Sequence, residues 1–210
     1  MSAELLSHPY ASTIWARLQA DIGNEYGVAG LMGNLRAESG LYPDRVQGDI
    51  PYSDYSKTYT ANVDNGTISE NDFVNNAPNG GGYGLAQWTY YTRKQALYNM
   101  YKSGGYPSIG SVELACDFLL YELKNSFSGV YNVLKTATNI RTASDKVLHD
   151  FESPADQSES VEEQRESLGS EVFETFSGSS PSEPPATPTP TPSSSRKLSK
   201  LLLYAVALDD

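Results

Sequence analysis

The 210-residue chain has a single cysteine, Cys116, and only two histidines. One cysteine cannot form a disulfide within the chain, and no Cys or His spacing typical of a zinc site is present. We therefore expect no metal and no cofactor. No apolar run approaches the ~20 residues that a membrane-spanning helix needs, so we also expect no membrane partner.

Basic residues are scarce: 15 Lys and Arg stand against 26 Asp and Glu, which gives a formal net charge of −11. Because Lys and Arg drive phosphate binding, we expect no nucleic-acid partner, and an uncharged or sugar-like substrate fits better than a polyanion. The first 18 residues lack the basic and apolar regions of a signal peptide. The sequence thus predicts a soluble protein made in a cytoplasm.

The composition changes at Ser177, which divides the chain into a globular part and an appendage. Residues 1–176 hold the apolar residues for one core, whereas 177–195 are rich in Pro, Thr and Ser and are predicted to be a disordered linker. The short tail 196–210 is basic and then apolar, and it is too short for a core of its own. It is the truncated start of a second module or an incidental terminus.

The apolar periodicity of the globular part predicts mostly α-helical structure. Helices are expected at about 12–20, 24–39, 92–103, 112–125, 129–137, 143–151 and 161–176. Between the second helix and Gly84 lie about 40 residues rich in Asn, Asp, Gly and Tyr, a long irregular insertion of the kind that is usually functional. Within it, 56–66 forms a short helix or a hairpin; we prefer the helix.

The segment GNLRAESGLYPD, residues 33–44, places a carboxylate where a helix ends. Glu38 continues the apolar stripe of Leu31 and Leu35 and lies just before Gly40. Partial desolvation and the negative end of the helix dipole both favour its protonated form, which a general acid requires. The alternative is a solvated or ion-paired glutamate.

A second unusual segment is NGGGYGLAQWTYYTRKQ, residues 79–95. Consecutive glycines let a backbone approach a ligand closely, and Gln87 offers an amide. The chain has 15 tyrosines, and Trp88, Tyr90 and Tyr91 offer flat faces to which sugar rings could bind. The alternative is a glycine-rich turn whose aromatic side chains fill the core.

AESGLYP followed by GYGLAQW resembles the lysozyme-like superfamily of goose-type lysozymes and soluble lytic transglycosylases, which share E-S-x-x-x-P and G-x-G-L-x-Q motifs. The closer resemblance is to the phage-tail lysozyme family of peptidoglycan hydrolases. That resemblance extends over VAGLMGNLRAESGL, VDNG, GYGLAQWTYYTRKQAL and FESPADQS, spread over about 10–176.

The resemblance implies a lysozyme-like helical domain whose cleft is flanked by the insertion. It implies that Glu38 is the general acid, that Tyr83, Gly84, Gln87 and Trp88 form part of the substrate cleft, and that bacterial peptidoglycan is the substrate. A phage or prophage lysin, released or tail-associated, fits this activity. The linker would then join the domain to a missing cell-wall-binding or other module.

A second catalytic carboxylate is harder to identify. Relatives tend to have an acidic residue shortly before the glycine motif, where this sequence has FVNNAPNGG. The candidates are Asp49, Asp54, Asp64, Asp72 and Glu152. For Glu152, an ion pair with Arg165 that fixes two helices is the structural alternative. With no partner acid, Glu38 could act first as acid and then as base, giving the 1,6-anhydro product of a lytic transglycosylase instead of a muramidase product.

Two other functions compete. A cysteine peptidase would use Cys116 with His8 or His149, but Cys116 lies in the middle of a predicted helix, where a small buried residue is normal. A non-catalytic glycan-binding tail module would have kept the scaffold and lost its chemistry. The missing partner acid favours that hypothesis, and the presence of Glu38 opposes it.

Overall fold

The computed structural model describes residues 1–78 and 81–178, so Asn79, Gly80, most of the predicted linker and the predicted tail lie outside it. The described part is mostly α-helical, as predicted, and its only β pairing consists of two isolated bridges, Val46–Tyr83 and Tyr83–Trp88. The helices are α1 (Ala3–Ser7), α2 (Ala11–Ile22), α3 (Glu25–Ser39), α4 (Asp54–Asp64), α5 (Glu70–Asn75), α6 (Tyr91–Gly104), α7 (Val112–Asn125), α8 (Ser128–Thr136), α9 (Ile140–Val147) and α10 (Glu159–Phe176). A π-helical segment, Leu148–Glu152, follows α9 directly.

Most predicted helices are confirmed within a few residues, and the main differences lie at the N-terminus and in the insertion. The helix interpretation of 56–66 is confirmed by α4. The prediction missed α1 and α5, so the insertion is less irregular than expected. A capping signal marks α5: Ser69 Oγ accepts the N–H of Asp72 at 3.2 Å and donates to its carboxylate at 2.7 Å.

Helix α3 runs through the centre of the molecule and packs against α2, α8, α9 and α10. Every residue from Gly27 to Leu35 is buried, as expected of a helix surrounded by others. Glycines recur at every third position of this run, and Gly33 allows the closest contact with α10. A Cβ on Gly33 would lie 2.5 Å from the carbonyl oxygen of Arg165 and 2.6 Å from the nitrogen of Gly169.

The end of α3 is defined by glycine, as the sequence predicted. Gly40 adopts a φ of +64°, and its N–H donates to the carbonyl of Arg36 at 2.9 Å. About one turn before Glu38, the buried Asn34 side chain donates to Ser144 Oγ of α9 at 3.0 Å. These contacts fix the last turn of α3, where Glu38 lies.

The insertion folds back onto the helices through buried aromatic side chains. Tyr83 packs against Phe73 of α5, and its hydroxyl hydrogen-bonds with Thr60 of α4 at 2.8 Å. Trp88 packs against Phe118 of α7. Within the described part of the chain, no helix combines the length and apolarity needed to cross a bilayer.

Candidate active site

A cavity of about 300 Å³ opens where the end of α3 faces the insertion. One side, the helical wall, consists of Glu38, Arg93 and Glu152. The other side, the loop wall, consists of Arg45, Gln47, Gln87 and Tyr90. Its volume is at the lower end of the range of small-molecule sites.

Glu38 is ion-paired, which was the alternative left open by the sequence, but its partner is Arg165 of α10, which was not predicted. Arg165 Nη2 donates to Glu38 Oε1 at 2.6 Å, and Arg165 Nη1 donates to the carbonyl of Asn34 at 2.9 Å. The Glu38 side chain is 25% exposed, so one part of it faces the cavity while another contacts the guanidinium. Arg36, a nearer residue in sequence, pairs with Glu171 instead.

Glu152 is the second carboxyl group of the helical wall. Its side chain is 4% exposed, and its Oε2 lies 3.8 Å from the same nitrogen, Arg165 Nη2. Neither of its oxygens has a hydrogen-bond partner within the part of the chain that the structure describes. Burial raises the pKa of Glu152, and the charge of Glu38 raises it further, whereas Arg165 and Arg93 act in the opposite direction.

These three side chains form a charge cluster, here named the Glu38–Arg165–Glu152 cluster. With both carboxyls ionised its net charge is −1, and uptake of one proton makes it neutral. Burial favours the neutral form of Glu152, and the neighbouring charge of Glu38 adds to that preference. The cluster is therefore suited to hold one proton next to the cavity.

Arg93, which lines the cavity, also belongs to a second buried ion pair that sequence reasoning missed. Arg93 donates to Glu122 of α7 twice, from Nε at 2.6 Å and from Nη2 at 2.7 Å. Trp88 Nε1 also donates to Glu122 at 2.6 Å. The signal that could have revealed this ion pair is the position of Glu122 among the apolar residues of α7, because a carboxylate that is buried there needs a partner.

The predicted substrate-binding residues separate into cavity residues and core residues. Gln87 lines the cavity, and its Nε2 donates to the carbonyls of Arg45 at 3.1 Å and Gly84 at 3.0 Å. Gly84 forms the turn with a φ of +79°, and a Cβ there would lie 2.9 Å from the Trp88 ring. Tyr83 and Trp88 are 1% and 0% exposed. Because they are buried, their rings cannot face a glycan here, and they support the loop from behind.

Of the predicted aspartates, Asp49 and Asp54 are not among the described residues that line the cavity. Asp49 accepts hydrogen bonds from both Ser53 and Ser56 at 2.6 Å. Burial acts to raise the pKa of Asp49, but these hydrogen bonds outweigh it and lower the pKa. Asp54 is exposed and pairs with Lys57 at 3.0 Å.

Asp64 and Asp72 likewise lie outside the described lining of the cavity. Asp64 accepts hydrogen bonds from Ser108 Oγ at 2.6 Å and from the N–H of Ile109 at 2.8 Å. Asp72 belongs to the cap of α5, and hydrogen bonds from Ser69 and Asn76 lower its pKa. All four aspartates thus have polar partners of their own, none of which is among the described residues that line the cavity.

The cysteine-peptidase alternative has no geometric support. Cys116 is fully buried, and burial raises the pKa of its thiol to about 12. His8 packs on the ring of Tyr42, and His149 contacts Gln157 and Glu162. Among residues 1–78 and 81–178, no three His, Cys, Asp or Glu side chains come together as a possible metal site.

Comparison with known families gives one match. The family model for phage tail lysozyme matches residues 10–176, which is most of the 210-residue chain. No curated protein and no solved structure matches the chain.

Proposed function

Because the chain belongs to the phage tail lysozyme family, we propose that it cleaves the β-1,4 bond between N-acetylmuramic acid and N-acetylglucosamine in bacterial peptidoglycan. The observation that carries the proposal is the position of Glu38. Its carboxyl lies at the rim of the cavity, partly exposed, in a cluster that becomes neutral with one proton.

In the proposed reaction, Glu38 donates its proton to the bridging oxygen of the sugar chain. The bond between that oxygen and the anomeric carbon breaks, and the oxygen leaves as a neutral hydroxyl. Positive charge develops on the muramic acid ring, next to a carboxylate that has just become negative. In hydrolysis, water then forms a bond to the anomeric carbon and gives its proton to Glu38, which restores the acid.

Arg165 is a positioning residue in this scheme. Its two contacts, to the Glu38 carboxylate and to the carbonyl of Asn34, hold the acid in one orientation at the helix end. Pre-organisation of this kind lowers the barrier because little rearrangement is left for the reaction. The loop wall would hold the glycan against Glu38, with the exposed ring of Tyr90 offered to a sugar face.

Glu152 is the other carboxyl group among the described residues that line the cavity. It contacts the same nitrogen as Glu38, and both of its carboxylate oxygens are shielded from solvent. Inverting glycosidases separate their carboxyls by ~6.5–9.5 Å so that a water fits between them. We therefore assign Glu152 to sharing the cluster proton, not to activating water.

This assignment keeps a second reaction open, that of a lytic transglycosylase. Without a second carboxylate placed to activate water, the 6-hydroxyl of the same muramic acid can attack its anomeric carbon. That oxygen gives its proton to Glu38 and closes a 1,6-anhydro ring. Mass spectrometry of the released muropeptides distinguishes the reactions, because the anhydro product is lighter by one water.

The test of the proposal is Glu38→Gln on purified peptidoglycan. We expect turbidity loss to slow by a factor of at least ~10², as for other essential proton donors, while co-sedimentation with the walls is retained. Glu25→Gln, at the other end of α3, is the control and is expected to lyse normally. Undiminished lysis by Glu38→Gln would contradict the proposal. Wall binding without any cleavage by the unmodified protein would support the glycan-binding module.

The biological context is part of the proposal. A lysozyme of this family acts on the cell wall, as a phage lysin released from the host cytoplasm or carried on a tail. We further propose that the Pro/Thr/Ser-rich segment tethers the domain to another module.

A further inference from the structure

A second cavity, of about 410 Å³, lies next to the candidate active site. Its polar wall consists of Asn75, Thr89, Tyr91 and Lys94, and we name it the Lys94 pocket. Thr89 lines both cavities, so the Lys94 pocket adjoins the sugar cleft on its loop side.

Lys94 is unusual because it is a buried lysine without a partner among the described residues. The residue is 2% exposed, and burial alone shifts its pKa, with no hydrogen bond or charge of a described residue acting on its ammonium group. A Cβ on Gly81, another residue of the pocket, would lie 3.2 Å from Lys94 Nζ, so the ammonium group lies in the pocket wall. Buried lysines are rare unless they are paired.

The surrounding backbone adds positive potential. Lys94 lies in the first turn of α6, a helix of 14 residues whose N-cap residue, Tyr90, provides no side-chain cap. The N-terminus of a helix carries a partial positive charge and favours anions. No Asp or Glu is among the described residues of the pocket wall.

In the free protein, the charged ammonium group of Lys94 is buried and lies near the positive end of a helix, and both conditions disfavour its charge. Burial lowers the pKa of Lys94, which reflects this cost. A bound anion would relieve it through a charge-assisted hydrogen bond. In a chain with a net charge of −11, this local positive site is not explained by overall composition.

We propose that the Lys94 pocket is a subsite for a carboxylate of the peptide stems of peptidoglycan, with Lys94 as the residue that binds it. The inference rests on the proposed function. Peptide stems branch from the muramic acid that the first cavity would hold, and their carboxylates are anions of the substrate itself. A neighbouring pocket with an unpaired ammonium group is placed to bind one of them.

The test compares two substrates that differ only in charge. Peptidoglycan free of teichoic acid is used either intact or after carbodiimide-mediated amidation of its carboxylates. We expect the unmodified protein to lose about tenfold in kcat/KM on amidated walls, mainly through KM. Lys94→Met is expected to be equally slow on both substrates. Lys102→Met, an exposed position on the same helix, makes the same charge change and is expected to keep the wild-type preference.

A binding assay separates this inference from the proposed function. In a Glu38→Gln background, co-sedimentation with intact walls is expected to exceed that with amidated walls, and Lys94→Met is expected to abolish the difference. If Lys94→Met keeps the preference, the subsite is contradicted even where cleavage depends on Glu38. If no protein cleaves walls but binding follows the carboxylates and Lys94, the subsite stands and the proposed function fails.

Phosphate is the other anion of cell walls, and two further experiments test whether it is the ligand of the Lys94 pocket. Competition by inorganic phosphate, or binding recovered only on walls that retain teichoic acid, would overturn the carboxylate assignment. Folding is checked by thermal melts, in which Lys94→Met is expected to melt at or above the wild-type temperature because it removes a buried charge. If Lys94→Met melts at a lower temperature than wild type, Lys94→Gln is tested on intact and amidated walls instead. A preference for intact walls in Lys94→Gln would then contradict the subsite, and its loss would support it.

Discussion

The two walls of the candidate active site differ in how they are built. The helical wall places Glu38 and Glu152 within 4 Å of the same nitrogen of Arg165, in contacts between elements far apart in the chain. The loop wall is held by backbone hydrogen bonds, such as those from Gly84 to Arg45 and from Gln47 to Gly82, both at 2.8 Å. The first wall is mostly buried and holds both carboxyl groups, whereas the second presents Arg45, amides and an exposed Tyr90.

This difference indicates a division of labour. A proton donor must be held in one geometry and partly shielded from water, which packed helices provide. A glycan surface needs exposed flat rings and hydrogen-bonding groups, which loops provide. Substitutions in the helical wall are therefore expected to change catalysis and stability, and those in the loop wall to change substrate binding.

The largest effect is expected from Arg165→Met. Removing the guanidinium leaves two neighbouring carboxyls without their cation, which typically costs about 3–5 kcal/mol for a buried pair. We also expect turnover to fall about 100-fold because Glu38 loses its orientation. The pH optimum is expected to move upward, since the cluster binds its proton more tightly without the positive charge. Chemical denaturation and pH–rate profiles measure these effects.

The matched control is Arg36→Met, which removes a different ion pair between the same two helices. Arg36 pairs with Glu171 of α10 at 2.9 Å and its side chain is 11% exposed. Some stability is expected to be lost, with the pH–rate profile unchanged. Equal profiles for the two variants would show that Arg165 acts only as a structural link.

Gly33→Ala tests the packing that brings α10 to α3. The added methyl would meet backbone atoms of α10 at 2.5 and 2.6 Å, so the helices must separate. Overpacking of this kind costs about 1–3 kcal/mol. Gly129→Ala is the control: no atom lies within 4 Å of its Cβ, and the change is expected to stabilise α8 slightly. Similar melting temperatures for both variants would contradict the close approach.

Glu152→Gln is expected to have a pH-dependent effect. Because burial raises the folded-state pKa of Glu152 above its ordinary value of 4.5, its contribution to stability is fully present below that pH. It is lost as the pH rises through the folded-state pKa. A neutral glutamine keeps this contribution to stability at every pH. The Glu152→Gln variant is therefore expected to be more stable than wild type in alkaline solution, by roughly 1–3 kcal/mol. The gap is expected to close near pH 4, and melts that stay parallel across pH would argue against a titrating Glu152.

The smallest effect is expected from Tyr90→Ala in the loop wall. Tyr90 is 72% exposed, so its loss is expected to leave stability unchanged and to raise KM several-fold, with kcat nearly constant. Tyr55, which is 45% exposed and lies on α4 outside the described cavity lining, is the control. An unchanged KM for Tyr90→Ala would contradict a role of the loop wall in substrate binding.

Much of the helical fold could be predicted because the periodicity of apolar residues can be recognised in short stretches of sequence. The stripe of Leu31 and Leu35, with Gly40 after it, located the end of α3 and placed Glu38 there. Helix α5 was missed although Ser69 and Asp72 form its cap, because six residues carry too little periodicity to be recognised. Trp88 was assigned to the substrate cleft with the core as the alternative, since an aromatic residue in a glycine-rich loop fits either place, and it is buried in the core.

The sequence by itself determined the helical architecture, the position of Glu38 at a helix end and the resemblance to lysozymes, because each depends on neighbouring residues. Only the tertiary structure decided that Arg165, 127 positions away, is the partner of Glu38. It also decided that Glu152 shares that guanidinium and that Lys94 is buried with no partner among residues 1–78 and 81–178. Such contacts depend on how closely whole helices pack, and that distance is set by small residues such as Gly33 together with the entire core.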